Sequence, residues 1–279
     1  MSTYKSFAVA GVGVIGQPIV EALLASKVSV VALTRSSSRD NLPNGAKAAT
    51  VDYSDVQGIA KALKDHKVEV LISTLSSTAL GPEQISLADA AKEAGVKLFV
   101  PSEFGVPTIG RREGMFGLKA GLIDQLQKHG IPTIRIFNGW FTDGILVLTG
   151  YSANKKVSIV GKGDTPISFT SRADIAGFLA HVLTTYPPEK LDDKVFRIEG
   201  DRATLLELAV YLKAEVEFVD EVPGPRGPAI TYMQRLLETG AGSTGWDPIS
   251  NEEGSEKAGS GNAWWVGHRW QRIPDVVKV

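Results

Sequence analysis

The sequence contains no cysteine. Disulfides, thiolate metal sites, iron–sulfur clusters and thiol redox switches are therefore excluded. It lacks an excess of either charge: 30 lysines and arginines stand against 31 aspartates and glutamates, a formal net charge of −1. Such a chain has no electrostatic footprint for nucleic acid or for an anionic membrane surface, and neither partner is expected. No apolar run approaches the roughly 18 residues that would suggest a membrane span. Met1 to Gly13 shows no basic region ahead of a long apolar stretch, so no secretory signal is read and the expected location is the cytoplasm. The four histidines, His66, His129, His181 and His268, have no metal-ligand spacing, and no metal is expected. The chain has no internal repeat.

What is present is an ordinary globular composition, 43% hydrophobic and 22% charged over 279 residues. At ~150 residues per domain this means about two domains. Strand-like and helix-like stretches alternate up to about residue 140. Strands are predicted over Ser6–Ala10, Val28–Leu33, Ala46–Val51, Val68–Ser73, Val96–Val100 and Ile131–Phe137, and helices over Val14–Ala25, Val56–Leu63, Pro82–Ala94 and Leu118–Lys128. Repeated strand–helix–strand units imply an α/β fold with a doubly wound parallel sheet of Rossmann type. Residues 1–150 are expected to form the nucleotide-binding domain and residues 151–279 a smaller C-terminal substrate domain, with segment 168–186 packing back on the first. The Gly/Ser-rich stretch from Gly240 to Gly261 reads as a long surface loop, a candidate lid.

Gly11-Val12-Gly13-Val14-Ile15-Gly16 is a G-x-G-x-x-G string between a strand and a helix, the context that gives this motif its meaning. Gly11 suits the tight turn, Gly13 the close approach of a pyrophosphate, and Gly16 the packing of helix on strand. NAD-specific folds place an acid at the end of the second strand, about 20 residues on, to bind the ribose 2′-hydroxyl. Here Arg35 occupies that place, followed by Ser36, Ser37, Ser38 and Arg39. A guanidinium pairs with a 2′-phosphate, so NADP(H) is the expected cofactor, held mainly by Arg35 with Arg39 second. Asp52 follows the third strand and either borders the adenine or is an ordinary turn acid. Val14, Ile15 and Thr74 complete the expected cofactor set on this side.

The Tyr-x-x-x-Lys pair of the commoner short-chain dehydrogenases occurs once, at Tyr151 to Lys155. It runs into a short strand and turn rather than preceding a strand of the main sheet, and is set aside. Lys119 is the better catalytic candidate. It lies early in the helix before Ile131–Phe137, while Pro101-Ser102-Glu103-Phe104-Gly105 follows the preceding strand at the carboxyl edge of the sheet. Ligands bind beyond that edge, and a partly desolvated lysine can exchange a proton near neutral pH. The competing reading is a surface lysine on an amphipathic helix.

The glycine loop, Arg35, Pro101–Gly105 and Lys119 together resemble the atypical short-chain reductases. This group contains isoflavone reductase, pinoresinol–lariciresinol reductase, phenylcoumaran benzylic ether reductase and the NmrA-like proteins, and the fungal-type members are the nearest in kind. Asn138-Gly139-Trp140-Phe141 is similar to the family's asparagine–aromatic segment, and Ile167 to Ile175 to its second-domain helix entry. The resemblance implies NADPH in a cleft between two domains, Lys119 both as general acid/base and among the cofactor-binding residues, and Asn138 and Phe141 beside the nicotinamide. It implies hydride transfer to a small aromatic metabolite (an enone, a quinone-methide-like centre or a benzylic ether), with Phe104, Trp140 and Phe141 at the substrate. Two departures separate the chain from the plant reductases: only Val106–Leu118 intervenes between the Pro101–Gly105 string and Lys119, and the tryptophan-bearing tail is unlike theirs. Alternatives are a non-catalytic NADP(H)-sensing regulator and an NADPH:quinone oxidoreductase; a monomer or homodimer is expected. Ser102 and Glu103 are read as a turn serine and a bonder of backbone N–H groups. Asp174 is read as a cap of its helix or a partner of Arg172. Trp264, Trp265 and Trp270, with His268 among them, are read as an anchor for the tail.

Overall fold

The computed structural model describes residues 3–35, 42–254 and 257–278. The alternation expected from the sequence is realised as β1 Ser6–Ala10, α1 Gly16–Ala25, β2 Ser29–Thr34, β3 Lys47–Thr50, α2 Val56–Asp65, β4 Val70–Ser73, α3 Pro82–Ala94, β5 Leu98–Val100, α4 Gly114–His129 and β6 Ile134–Phe137. Local chemistry marks the ends. Asp55 caps α2 by accepting from Gly58 N at 3.0 Å. Pro82 opens α3, and the left-handed Gly95 and Gly130 close α3 and α4.

The central sheet has the order β3-β2-β1-β4-β5, parallel throughout. A parallel bridge from Phe99 to Thr133 brings the chain entering β6 alongside β5. The strand order reverses between β1 and β4. With right-handed crossovers this puts α1 on one face and α2, α3 and α4 on the other, and α3 indeed packs on both α2 and α4. All four residues of β4 are buried, as a strand covered on both faces requires. Leu33, Ile59, Leu63, Leu71, Leu87, Phe99, Leu122 and Leu126 belong to one apolar core.

Helix α4 starts at Gly114, four residues ahead of the expected Leu118. A Cβ at Gly117 would stand 2.4 Å from Arg112 O, so that turn must be glycine. Glycine is a poor helix former, and it hides this helix start from sequence reading.

The chain divides into two compact units: 1–103 with 110–135 and 175–196, and 104–109 with 136–174 and 197–279. Against an expected boundary near residue 150, segment 136–150 falls in the second unit, and the 175–186 part of the expected returning segment falls in the first. There Phe178 meets Phe196 edge to face at 5.2 Å. The second unit holds a three-stranded sheet, with Ile167–Thr170 between Trp140–Phe141 and Asp201–Ala203, and a parallel pair, Val157–Ile159 with Val216–Phe218. A capping box between Thr204 and Glu207 opens the helix Leu205–Leu212. Within the stretch 240–261, expected to be a surface loop, Ala241, Ser243 and Thr244 are buried and Trp246–Asp247 pairs with Glu252–Glu253, while Ile249 and its neighbours are exposed. Among the described residues no helix is long and apolar enough to cross a membrane.

Candidate active site

The glycine loop lies where the strand order reverses, between the carboxyl ends of β1 and β4. Gly11 has φ +87° and its N–H donates to Leu33 O at 3.2 Å. A Cβ on Gly16 would sit 2.1 Å from Gly11 O and 2.5 Å from Thr74 Oγ1, so only glycine fits there. A Cβ on Gly13 would meet nothing within 4 Å. Helix packing thus accounts for Gly16, and open space above the loop for Gly13. Val14 is exposed and Ile15 buried. No side chain caps the start of α1 and no acid stands in its first turn, which leaves the positive end of the helix open to an anion. Thr74 N–H donates to Ala10 O at 2.9 Å, and its hydroxyl to Gly11 O. Thr74 therefore ties the end of β4 to the loop.

Arg35 follows β2 and is exposed. Beneath it, the Tyr53 hydroxyl donates to Leu33 O at 2.6 Å, and burial pushes that phenol up to about 12. Sequence reasoning missed Tyr53 as a brace for the strand end that carries Arg35. Arg39, with Ser36 to Ser38, lies outside the described residues. Asp52 is exposed and accepts from Ser54 N at 2.9 Å and Ser54 Oγ at 2.7 Å, bonds that hold its carboxyl below the usual value. Its contacts are those of a turn acid.

The chemistry gathers at the end of β5. Lys119 Nζ donates to the main-chain oxygen of Glu103 at 2.7 Å and stands 3.5 Å from Glu103 Oε2. On the other side of the same carboxylate, Arg135 of β6 donates to Oε1 through Nε at 2.9 Å and Nη2 at 2.6 Å. Only 12% of the Lys119 side chain and 1% of Glu103 are exposed. Burial pushes the Lys119 ammonium below the usual lysine value; Glu103 opposes that and Arg135 adds to it. This excludes the surface-lysine reading. Glu103, read from the sequence as a bonder of backbone N–H groups, is a buried acid shared by two cations. Ser102 is the turn serine expected, its hydroxyl donating to Leu75 O at 2.9 Å. Sequence reasoning passed over Arg135. The available signal was a lone charge in the apolar run Ile134-Arg135-Ile136-Phe137, because a buried charge requires a partner. Phe104, next in the chain, has φ +28°, a region bulky side chains rarely adopt.

In the second unit, Asn138 is buried. Its N–H donates to Gly105 O at 3.0 Å, its Nδ2 donates to Gly139 O at 3.1 Å, and its Oδ1 has no hydrogen-bond partner. Gly139 has φ +67°, and a Cβ there would lie 2.1 Å from Ser168 O. Trp140 and Phe141 are half-buried, and Trp140 Nε1 and Thr142 Oγ1 are further buried polar atoms without a partner. Tyr151 lies on a four-residue helix, with Lys155 just beyond it at φ +64°. Asp174 does not pair with Arg172, which binds Asp143 instead. It accepts from His268 Nε2 at 2.8 Å and Gln271 N at 2.7 Å. The His268 ring stacks on Trp265 at 3.5 Å and meets Trp270 edge-on.

Comparison with known proteins places this geometry. Oxidoreductase BOA1 of Botryotinia fuckeliana (strain B05.10) is 31% identical over 211 residues, 69% of either chain. Phenylcoumaran benzylic ether reductase 1 of Arabidopsis thaliana is 30% identical over 198 residues, and the match covers 63% of each chain, under two thirds of that protein's length. The solved structure of AtPrR2 with NADP+ and (+)pinoresinol superposes with a TM-score of 0.74 at 21% identity, over 98% of this chain and 97% of that one. That likeness is one of fold. The profile of the NmrA-like family matches residues 5–218, more than half of the chain, and the protein belongs to that family.

Proposed function

We propose that the protein is an NADP-dependent oxidoreductase that reduces a small aromatic metabolite, with Lys119 as its general acid. The observation that carries this reading is the state of Lys119: a buried ammonium, fixed on a main-chain oxygen and lowered in pKa, in the same compact unit as the glycine loop. A solvated lysine would have none of these properties.

The residues present fit NADP(H). Gly13 leaves space for a pyrophosphate, the start of α1 offers an uncapped positive end, and Arg35 suits a 2′-phosphate. When bound, NADPH supplies the hydride. The chain does the rest. The loop backbone and Arg35 bind and orient the nucleotide, which is the larger protein contribution. Lys119 Nζ gives its proton to the substrate oxygen that becomes negative as hydride arrives at carbon; the neutral amine then recovers a proton from water. One hydride and one proton would thus be added to the substrate.

The names of the relatives, a benzylic ether reductase and a structure holding pinoresinol, support an arylated substrate with an enone, quinone-methide-like or benzylic ether centre. Phe104, Trp140 and Phe141 are the aromatic side chains proposed to meet it, and Asn138 the polar group beside the nicotinamide.

The test is NADPH oxidation followed by absorbance across aromatic enones, quinones and benzylic ethers, with Lys119→Met in parallel. Turnover that collapses in the variant supports the reading. Quinone turnover that survives it assigns a simple hydride donor, and tight NADPH binding without turnover on any compound assigns a sensor.

A further inference from the structure

Lys119 meets one acid from the loop after β5 and one cation from β6, and these two also bind each other. Among the described residues the other ion pairs of α4 are Asp124 with Arg112, at the surface, and His129 with Asp89 of α3 at the far end of the helix. The charge environment of the Lys119 ammonium is therefore set by Glu103 and Arg135.

Left alone with Glu103, a buried lysine would form a closed ion pair, and a proton held in such a pair is not available for transfer. The geometry prevents this. Arg135 occupies Oε1 through two donors at 2.9 and 2.6 Å, whereas Lys119 stands 3.5 Å from Oε2 and spends its shorter bond, 2.7 Å, on the main-chain oxygen of Glu103. A planar guanidinium can make the two-pronged contact and a lysine cannot. One oxygen of the carboxylate, Oε1, is thus already held by the guanidinium where Lys119 approaches the other.

We infer that Arg135 and Glu103 are positioning residues for the Lys119 proton. Glu103 fixes the ammonium in place through its backbone oxygen, and Arg135 claims the Glu103 carboxylate so that Lys119 remains free to release its proton. This rests on the reading of Lys119 as the general acid. The lowered affinity of Lys119 for its proton, to which Arg135 contributes, has the direction this arrangement requires.

The experiment follows Lys119 itself. The protein is prepared with 13C-labelled lysine, the Lys119 signal is assigned by its loss in Lys119→Met, and its titration is read by NMR without substrate. Arg135→Gln should move the titration to higher pH by about one unit, the low end of the effect of one charge at this range. Glu103→Gln should move it to lower pH, because an anion is lost and the guanidinium is left unopposed. Arg135→Lys should return it only part of the way, because the charge is restored and the two-pronged contact is not. The alkaline fall of kcat/KM should move the same way in each. A merely structural Arg135 would change folding, seen by near-ultraviolet circular dichroism, and leave the titration in place, which would overturn the proposal. Shifts of the same sign in Arg135→Gln and Glu103→Gln would overturn it too. If Arg135→Gln does not fold, absence of the downward shift in Glu103→Gln is sufficient to refute it. Absence of turnover on every compound would sink the proposed function while leaving the Lys119 titration readable.

Discussion

Lys119 is anchored to Glu103 by the backbone: the ammonium lies 2.7 Å from the main-chain oxygen of that residue and 3.5 Å from its nearer carboxylate oxygen. The position of the proposed acid therefore depends on the turn that presents the Glu103 carbonyl more than on the charge of the Glu103 side chain. The turn is in turn held by Ser102, whose hydroxyl bonds the carbonyl of Leu75 beyond β4.

Lys119→Met should lower kcat on a turned-over substrate by roughly 10²–10⁴-fold, the range for loss of a general acid. The NADPH dissociation constant should change little, since the loop and Arg35 are untouched. Stopped-flow single turnover with a fluorescence titration of NADPH separates the two; a joint loss of binding and rate would deny Lys119 a chemical role.

The lowered Lys119 pKa also affects stability. Between its folded value and the ordinary lysine value of about 10.4, the unfolded chain binds more protons than the folded one, so stability rises with pH. The gain is complete above the ordinary value and lost as pH falls through the folded one. Urea unfolding from pH 7 to 10.5 should show this rise in the wild type relative to Lys119→Met. Parallel curves for the two proteins would mean Lys119 titrates normally.

Arg35→Asp should weaken NADPH binding by about ten- to a hundredfold, the value of the lost charge-assisted bonds at roughly 1.5–3 kcal/mol. The same change supplies the acid that binds a ribose 2′-hydroxyl, so NADH binding should improve. Equal losses for both nucleotides would place the 2′-phosphate elsewhere.

Tyr53→Phe should cost about 0.5–1.5 kcal/mol in denaturant unfolding, the net value of one hydrogen bond, because Leu33 O loses this donor but keeps that from Gly11 N. Since Leu33 also accepts from Gly11 N, NADPH affinity should fall as well. A stability loss with unchanged affinity would limit Tyr53 to packing.

Asp174→Ala should strip the partner from His268 Nε2 and from Gln271 N and cost about 3 kcal/mol, two hydrogen bonds to a charged acceptor. Tryptophan fluorescence should report it directly, as Trp265 and Trp270 flank His268. An unchanged emission spectrum would show that the ring stack holds without the acid.

The sequence made legible what is local. The strands and helices of the first unit follow from short apolar runs and caps, and the glycine loop from its strand–helix setting. Lys119 was legible because it sits one helix after an edge loop. What was not legible rests on distant partners. Arg135 meets Glu103 across 32 positions, Tyr53 reaches Leu33 across 20, and His268 reaches Asp174 across 94. No periodicity records such pairings. The start of the stretch 240–261 misled for another reason: Ser243 and Thr244 are small and polar, yet they are buried and bond to Glu253 and Ser168.

Phe104 at φ +28° has a consequence for engineering. A bulky residue held in that conformation costs on the order of 1–3 kcal/mol, and glycine would adopt it freely. Any screen that rewards thermal resistance alone should therefore favour Phe104→Gly, where the backbone relaxes. The hardened variant would lose an aromatic side chain one residue from the carbonyl that fixes Lys119. Under the proposed role of Phe104 at the substrate, robustness and activity are set against each other at this single position, and it should be held fixed when the rest of the chain is optimised.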